Sequence, residues 1–484
     1  VHVCKSTKNT VIKNQTPHPI MFSNAVHISC FYFLIYIAHT PKGSSDAMTM
    51  SVLPPRFQGE VGASTSYLKA EWISMKASKM PTNDAKSLPN PPRSGHVTFR
   101  AGDEDTRSSN DNMYVFGGYG EEMKMTPEGE EAVQRYPMND LWRRRACSSD
   151  KEGWCSWEPV EQISPPEERL VSAVSVLNGR PYLFGGWNPN NRNMGGNEIL
   201  DTVHSLNINM NTHQWTVLPI KIPDGPTSRH VALTLPCKTK ALIHNHRCGT
   251  DHVYVFDSLT ESFVRQKTKA KEEGEIDASS AAPQGMGLHA ACMLGSFALF
   301  FGGADKTQGM SNEAFLLNTI TWEWSKVDIL GMHDDGNDDD GNDDIPCPRA
   351  SPCLVSFNET CAILYGGARG GAMGLEGLDD VWALYVNRFD STGKWERLVP
   401  STPTSTSATS SKSSTMHASE GDDGLVSVTM PPGRNAATLC EIDDAHTVDA
   451  KETKHFLLHG GWAPFRKTWN DDFILRVVDP TETH

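Results

Sequence analysis

Short apolar runs, each closed by a pair of glycines, recur along most of the chain. They read Val115-Phe116-Gly117-Gly118, Leu183-Phe184-Gly185-Gly186, Phe300-Phe301-Gly302-Gly303, Leu364-Tyr365-Gly366-Gly367 and Leu458-His459-Gly460-Gly461. Gly117 and Gly185 stand one period apart, as do Gly302 and Gly366, while the stretch from Gly185 to Gly302 spans about two periods. A fixed signal at long period means one supersecondary unit copied along the chain. A degenerate copy is therefore expected in the middle, and Thr227 to Val231, Ala241-Leu242-Ile243-His244-Asn245 and Asp251 to Phe256 supply its parts.

Within each copy the pattern predicts four short strands. A Pro/Gly turn with a basic residue leads into the first, and the run ending in glycines is the second. An acidic residue opens an alternating third: Asp140-Leu141-Trp142, Asp201-Thr202-Val203, Glu313-Ala314-Phe315, Asp380-Val381-Trp382 and Asp472-Phe473-Ile474. The fourth carries one large aromatic: Trp157, Trp215, Phe263, Trp324 or Trp395. Glycine reaches positive φ and admits close backbone approach where a strand leaves a crowded centre. The aromatic is sized to fill a wedge between neighbouring sheets.

The order of glycine doublet, acid and aromatic resembles the kelch repeat from about Tyr67 to Val478. The resemblance implies an all-β fold, a six-bladed kelch-type β-propeller of four-stranded antiparallel blades. The blades are expected at 91–160, 165–218, 226–266, 284–328, 346–399 and 431–478. The last lacks an aromatic fourth strand, and Tyr67 to Met75, centred on Trp72, is a fourth strand without a blade. That N-terminal strand is expected to complete the last blade and leave no open sheet edge.

Composition narrows the function. The 484 residues carry a formal net charge of −15, which argues against nucleic-acid binding, since that rests on Lys/Arg patches. Part of the acid is local, in the Asp-rich stretch 334–344, whose register does not match a calcium loop. Eleven scattered cysteines without a CxxC fit reduced thiols in the cytoplasm. Residues 1–66 read as a segment outside the fold, disordered or translated upstream of a start at Met48 or Met50. The apolar run 28–38 is too short for a membrane span but has the look of a secretory segment or anchor.

In an antiparallel blade the loops from strand two to three, and those from one blade to the next, share one face. Most of the large insertions fall there, namely Tyr119 to Met138, Trp187 to Asn197, Lys267 to Met286, 334–344 and 401–415, while the opposite face has mostly short turns and longer loops only near 100–112 and 441–454. Long loops on a rigid scaffold carry binding function, so this face is expected to hold a protein or peptide partner, an acidic one. Arg93, Arg169, Arg229, Arg349 and Arg434 open five first strands, with Met286 or Gly287 in the fourth blade. They either ring the channel mouth for carboxylates or phosphates, or tie blades together through carbonyls and acids. On the first reading, changing Arg93, Arg229 and Arg434 together to Ala abolishes partner capture and leaves melting nearly unchanged. Trp187, Asn188, Arg192, Arg369, Trp462 and Arg466 add aromatic and basic groups on the same face. No catalytic residue, cofactor or metal is expected. The alternative is a metal-dependent specifier-type lyase, but Glu376 and Asp380 are followed by Leu384 where that family's pattern has a histidine. His244 to Cys248 has metal-like residues at a strand end.

Overall fold

The computed structural model describes residues 68–75, 90–102, 112–125, 129, 131–145, 156–190, 198–209, 212–271, 281–305, 309–330, 344–371, 374–400, 430–442, 453–464 and 466–480. Six antiparallel sheets of four or five strands make a six-bladed β-propeller. The innermost strands are Val97–Ala101, Ala173–Leu177, Val231–Thr234, Ala290–Leu294, Cys353–Ser356 and Thr438–Ile442, and each touches the next around the channel. Blade six consists of Thr438–Ile442, Thr453–His459, Asp472–Val478 and, as its outer strand, Lys69–Ser74. Lys69 pairs with Val478 and Ser74 with Phe473, so the N-terminal strand does close the ring.

Three concentric sets of contacts run around the molecule. Nearest the axis, one residue per blade takes positive φ: Gly95, Val171, Arg229, Leu288, Ser351 and Ala436. The N–H of each donates to the carbonyl of its counterpart in the preceding blade: Val171 to Gly95 (2.7 Å), Arg229 to Val171 (2.9 Å), Leu288 to Arg229 (3.0 Å), Ser351 to Leu288 (2.7 Å), Ala436 to Ser351 (3.2 Å) and Gly95 to Ala436 (2.8 Å). Left-handed backbone costs a non-glycine residue about 1–2 kcal/mol, and Val171 shows how strongly the closed circle of bonds imposes it.

The glycine doublets form the second set. The N–H of Gly118, Gly303, Gly367 and Gly461 donates to the carbonyl of Arg169, Arg349, Arg434 and Arg93, respectively, in the following blade. The first glycine of each pair lies so close to that carbonyl that a side chain does not fit: a Cβ on Gly366 would sit 2.8 Å from the Arg434 oxygen, with φ at +64°. Gly366→Ala is therefore expected to destabilise by at least ~1–2 kcal/mol from φ alone. A thermal melt unchanged from wild type would contradict this.

In the third set, the aromatic of each fourth strand packs on the preceding blade's second strand, at the residue that in every blade but the third stands just before the doublet. Trp215 meets Phe116 (4.9 Å between ring centroids), Phe263 meets Phe184 (6.2 Å), Trp324 meets His244 (5.7 Å), Trp395 meets Phe301 (5.0 Å), Trp72 meets Tyr365 (5.2 Å) and Trp157 meets His459 (5.0 Å). Seating these large rings between blades takes apolar area out of water, which favours folding. Three blades gain an extra edge strand from the linker before them: Gln162–Ile163, Lys269–Ala270 and Asp328–Ile329 each pair in parallel with the next blade's fourth strand.

On the loop face, the segment expected as an insertion from Tyr119 to Met138 is a two-stranded arm. It extends the pairing of Asn112–Met125 with Glu131–Arg144 out to Met125 opposite Glu131. Smaller hairpins rise from blades four, five and six, pairing Ala304–Asp305 with Gly309–Met310, Ala368–Gly371 with Gly374–Gly377, and Trp462–Ala463 with Lys467–Thr468. The turns of the opposite face that are described are short, as at Asn178-Gly179 and Gly295-Ser296. Residues 1–66, including 28–38, the Asp-rich segment up to residue 343, and the tract 401–415 lie outside the described residues. No helix among the described residues is long and apolar enough to cross a membrane.

Candidate functional site

Four of the five arginines expected at the channel mouth are committed elsewhere. Arg93, Arg169, Arg349 and Arg434 are at most 1% exposed. Each lies inside its own blade and donates from Nη1 to the carbonyl of the first glycine of that blade's doublet: Gly117 (2.8 Å), Gly185 (3.0 Å), Gly366 (3.0 Å) and Gly460 (2.9 Å). The residue at the start of strand three takes the rest of the fork. Asp140 and Asp380 each accept two bonds, from Arg93 and Arg349, at 2.7–2.9 Å. Asp471, one residue earlier than the sequence pattern suggested, does the same for Arg434. In blade two Thr202 Oγ1 replaces the acid (3.2 Å). The trio of strand-one arginine, glycine carbonyl and strand-three acid thus locks strands one, two and three of a blade together.

The expectation that Arg93, Arg229 and Arg434 act as one binding set therefore does not hold. Arg93 and Arg434 are interior ties, and their loss strikes the fold. Asp380 carries the electrostatic trace of such a tie. Burial pushes its carboxyl up, yet the Arg349 guanidinium on both oxygens, with the Trp382 indole on one of them, leaves it below the usual carboxylate range.

Arg229 is different because blade three is out of step by two residues. The position that carries arginine in four other blades is Thr227 here, whose hydroxyl is buried without a partner among the described residues, and Met286 in blade four. Arg247, from the turn after strand two, covers part of the vacancy by donating to Pro226 O (2.6 Å) and Gly225 O (3.4 Å). Arg229 itself occupies the inner-ring position at the mouth of the channel. Its guanidinium lies 5.4 Å over the ring of Trp187.

The remaining residues singled out on this face divide by exposure. Trp187, Asn188 and Trp462 are buried; the Asn188 side chain accepts from the Asn190 N–H at 3.0 Å. Trp462 lies beneath Arg135 of the blade-one arm, 4.9 Å from the guanidinium carbon. Arg369 is exposed and paired with Glu376 at 2.9 Å, and Arg466 is exposed in the blade-six hairpin. Arg192 lies outside the described residues. The arm, which the sequence marks only as an insertion, leans on blade six, where Glu121 Oε1 accepts the Thr468 N–H at 2.7 Å. Met123, Met125 and Val133 stand on it 58%, 64% and 54% exposed.

The residues of the lyase-like and metal-like patterns are bound into the scaffold. Asp380 serves Arg349, Glu376 serves Arg369, and Leu384 is fully buried. The His244 ring is paired with His289 at 3.1 Å, and burial pushes the Cys248 thiol up to about 12. No group of three or more metal-ligating side chains is assembled among the described residues.

Several buried histidines are held neutral. Burial, with His289 nearby, lowers His230 to about 3; burial lowers His289 to about 4; and burial, with Arg169 and Lys221 beside it, lowers His204 to about 3. The unfolded chain protonates these near 6.5, whereas the folded chain does not, so their stabilising contribution is complete above about pH 6.5 and fades towards pH 3–4. Each contributes a slope of ~1.4 kcal/mol per pH unit across that window. Removing one of them, as in His204→Gln, should flatten the decline in melting temperature between pH 6.5 and 4 relative to wild type. Parallel curves would contradict the assignment.

No family model matches the chain. Over 249 residues, 50% of this chain and 36% of the relative, it is 27% identical to Adagio-like protein 1 of Oryza sativa subsp. japonica. It is 22% identical over 215 residues to Acyl-CoA-binding domain-containing protein 4 of Arabidopsis thaliana, covering 42% of this chain and 28% of that protein. The chain thus spans about a third of the length of the curated relatives it matches. The solved structure of YjhT aligns with a TM-score of 0.47 at 14% identity, over 79% of this chain and 95% of that one.

Proposed function

We propose that this chain is a kelch-type propeller that works in the cytoplasm as a protein- or peptide-binding module, docking its partner on the face that bears the hairpins. The observation that carries this reading is the blade-one arm. Its two strands leave the blade beyond the Gly118–Met138 pair, are braced on blade six through Glu121 and Arg135, and present two methionines and a valine to solvent. A rigid support under adaptable apolar side chains suits capture of a polypeptide. Exposed basic groups on the neighbouring blade-six hairpin, Arg466 and Lys467, favour a partner with acidic residues around an apolar anchor.

Affinity capture from native cell extract tests the face directly. A variant with Met123, Met125 and Val133 changed to Ser should lose the partner recovered by wild type while melting like it. A second variant carries Ser at Leu259, Ile320 and Phe389, which are 71%, 73% and 83% exposed in turns between third and fourth strands on the opposite face. It should keep the partner. Loss of capture in the second variant alone would move the interface to the other end of the propeller.

A further inference from the structure

In blades two, four and five the linker that precedes the blade caps the outer edge of the fourth strand. Backbone bonds hold the cap. Trp322 O and Trp324 O of blade four accept the N–H of Lys269 (3.1 Å) and Lys271 (2.7 Å), and Ser391 O and Gly393 O of blade five accept those of Asp328 (2.9 Å) and Leu330 (2.8 Å). Blade three has the same edge without the cap. Glu261 takes positive φ as Trp322 and Ser391 do, and the Ser258 N–H donates to Thr239 O as that of Thr319 does to Ser296 O, each at 2.9 Å. Asp257 faces Ser262 and Phe256 faces Phe263, as Asn318 faces Glu323 and Leu317 faces Trp324. The carbonyls of Glu261 and Phe263 therefore hold the places of Trp322 O and Trp324 O. No backbone N–H meets either of them among the described residues.

The linker that would supply this cap is held elsewhere. Between blades two and three, the Ile222 N–H donates to Asp201 O (2.9 Å) and the Thr227 N–H to Leu200 O (3.0 Å), which ties the stretch to blade two. In the capped blades the wedge aromatics Trp215, Trp324 and Trp395 are at most 6% exposed, whereas Phe263 is half-buried. An open strand edge beside a half-covered ring is a template for an added strand.

We propose that the edge Glu261 to Lys267 of blade three binds an extended acidic peptide of another protein, which adds as a parallel strand where linkers serve blades two, four and five. The native caps define the occupant. Their second residue is apolar, Ile163, Ala270 or Ile329, and the latter two pack in the core clusters that hold Trp324 and Trp395. In the matching register this residue stands opposite Phe263. Residues two and four further on stand opposite Arg265 and Lys267, on the same face of the strand. Arg265 reaches His252 (3.1 Å) and Asp251 (3.5 Å) yet is 60% exposed, and Lys267 is exposed. Charge therefore favours acids at both positions. The site lies on an outer strand and does not rest on the arm.

The test follows the fluorescence anisotropy of a labelled peptide, Ser-Thr-Val-Asp-Ile-Thr-Glu-Val-Glu-Ser, titrated with the full chain. Saturable binding is expected. A peptide N-methylated at Asp and at the Thr after Ile cannot donate to the Glu261 and Phe263 carbonyls, and should bind roughly ten-fold more weakly for two lost backbone bonds. Arg265, two residues beyond Phe263, turns its N–H to the same open side, so Arg265→Pro spares the blade's own ladder. It should weaken the parent peptide by a similar factor while melting near wild type. The N-methylated peptide needs no variant, so the comparison stands even where Arg265→Pro folds poorly. Lys267→Glu should weaken binding about three-fold and favour a peptide with Lys at both Glu positions. The variant with Met123, Met125 and Val133 changed to Ser should bind the peptide like wild type, which separates this site from the hairpin face. No saturable binding, or equal binding of the N-methylated peptide, overturns the proposal. So does self-association that the peptide cannot displace, which would give the edge to a second copy of the chain.

Discussion

Arg349→Ala is expected to lower the unfolding free energy by ~3–5 kcal/mol, the range for breaking a buried ion pair by removing one partner. The melting temperature should fall by several degrees. Arg349 is fully buried and Asp380 is 13% exposed, so the substitution leaves a desolvated carboxylate facing an empty slot. It also removes the donor to the Gly366 carbonyl and from Nε to Cys347 O. Arg349→Lys keeps the charge but cannot span both carboxylate oxygens and the glycine carbonyl, so it should recover only part of the loss. Arg229→Ala should melt close to wild type, because the inner ring uses its backbone rather than its side chain. Equal melting of the Arg349 and wild-type proteins would refute the role of these arginines as interior ties.

The second large effect concerns ring closure. Trp72 is 1% exposed, with its ring against Tyr365 of blade five (5.2 Å) and Phe473 of its own blade (6.2 Å). Replacing a buried tryptophan by alanine removes ~3–5 kcal/mol through lost transfer energy and the cavity left behind. Here the loss falls on the strand that seals the sheet edge at Asp472–Val478. Trp72→Ala should therefore lower the melting temperature and also raise amide exchange along Thr453–His459 and Asp472–Val478, while blades two to four keep their protection. Uniformly raised exchange, or none, would argue against closure by this segment.

The parts of this architecture that were legible are those fixed by local chemistry. Gly117-Gly118 and its copies announce themselves because only glycine tolerates the approach of the next blade's carbonyl. Trp72 was legible as a fourth strand lacking a blade, opposite a blade lacking a fourth strand. The arginines were harder, since an arginine beside a first strand looks the same whether it turns into the blade or toward the axis. In blade three, Arg229 stands two residues beyond the position shared by Arg93, Arg169, Arg349 and Arg434, a shift visible only once Val231 is seen opposite His244 as Val97 is opposite Phe116. The inner ring at Val171, Leu288 and Ala436 gave no signal because long-range backbone bonds, not residue type, impose its positive φ. The arm was missed because its exposed strands from Glu121 to Met125 and from Glu131 to Gln134 have no buried face to impose alternation.

The central functional claim is that the hairpin face is the docking surface, and hydrogen exchange of the full chain with and without its captured partner measures it most directly. The account predicts new protection on the arm at 118–125 and 131–138 and on the hairpins at 368–377 and 462–468. The turns around 178–179, 258–261, 295–296 and 319–322 should exchange as before. Protection confined to those turns, with the arm unchanged, would contradict the account.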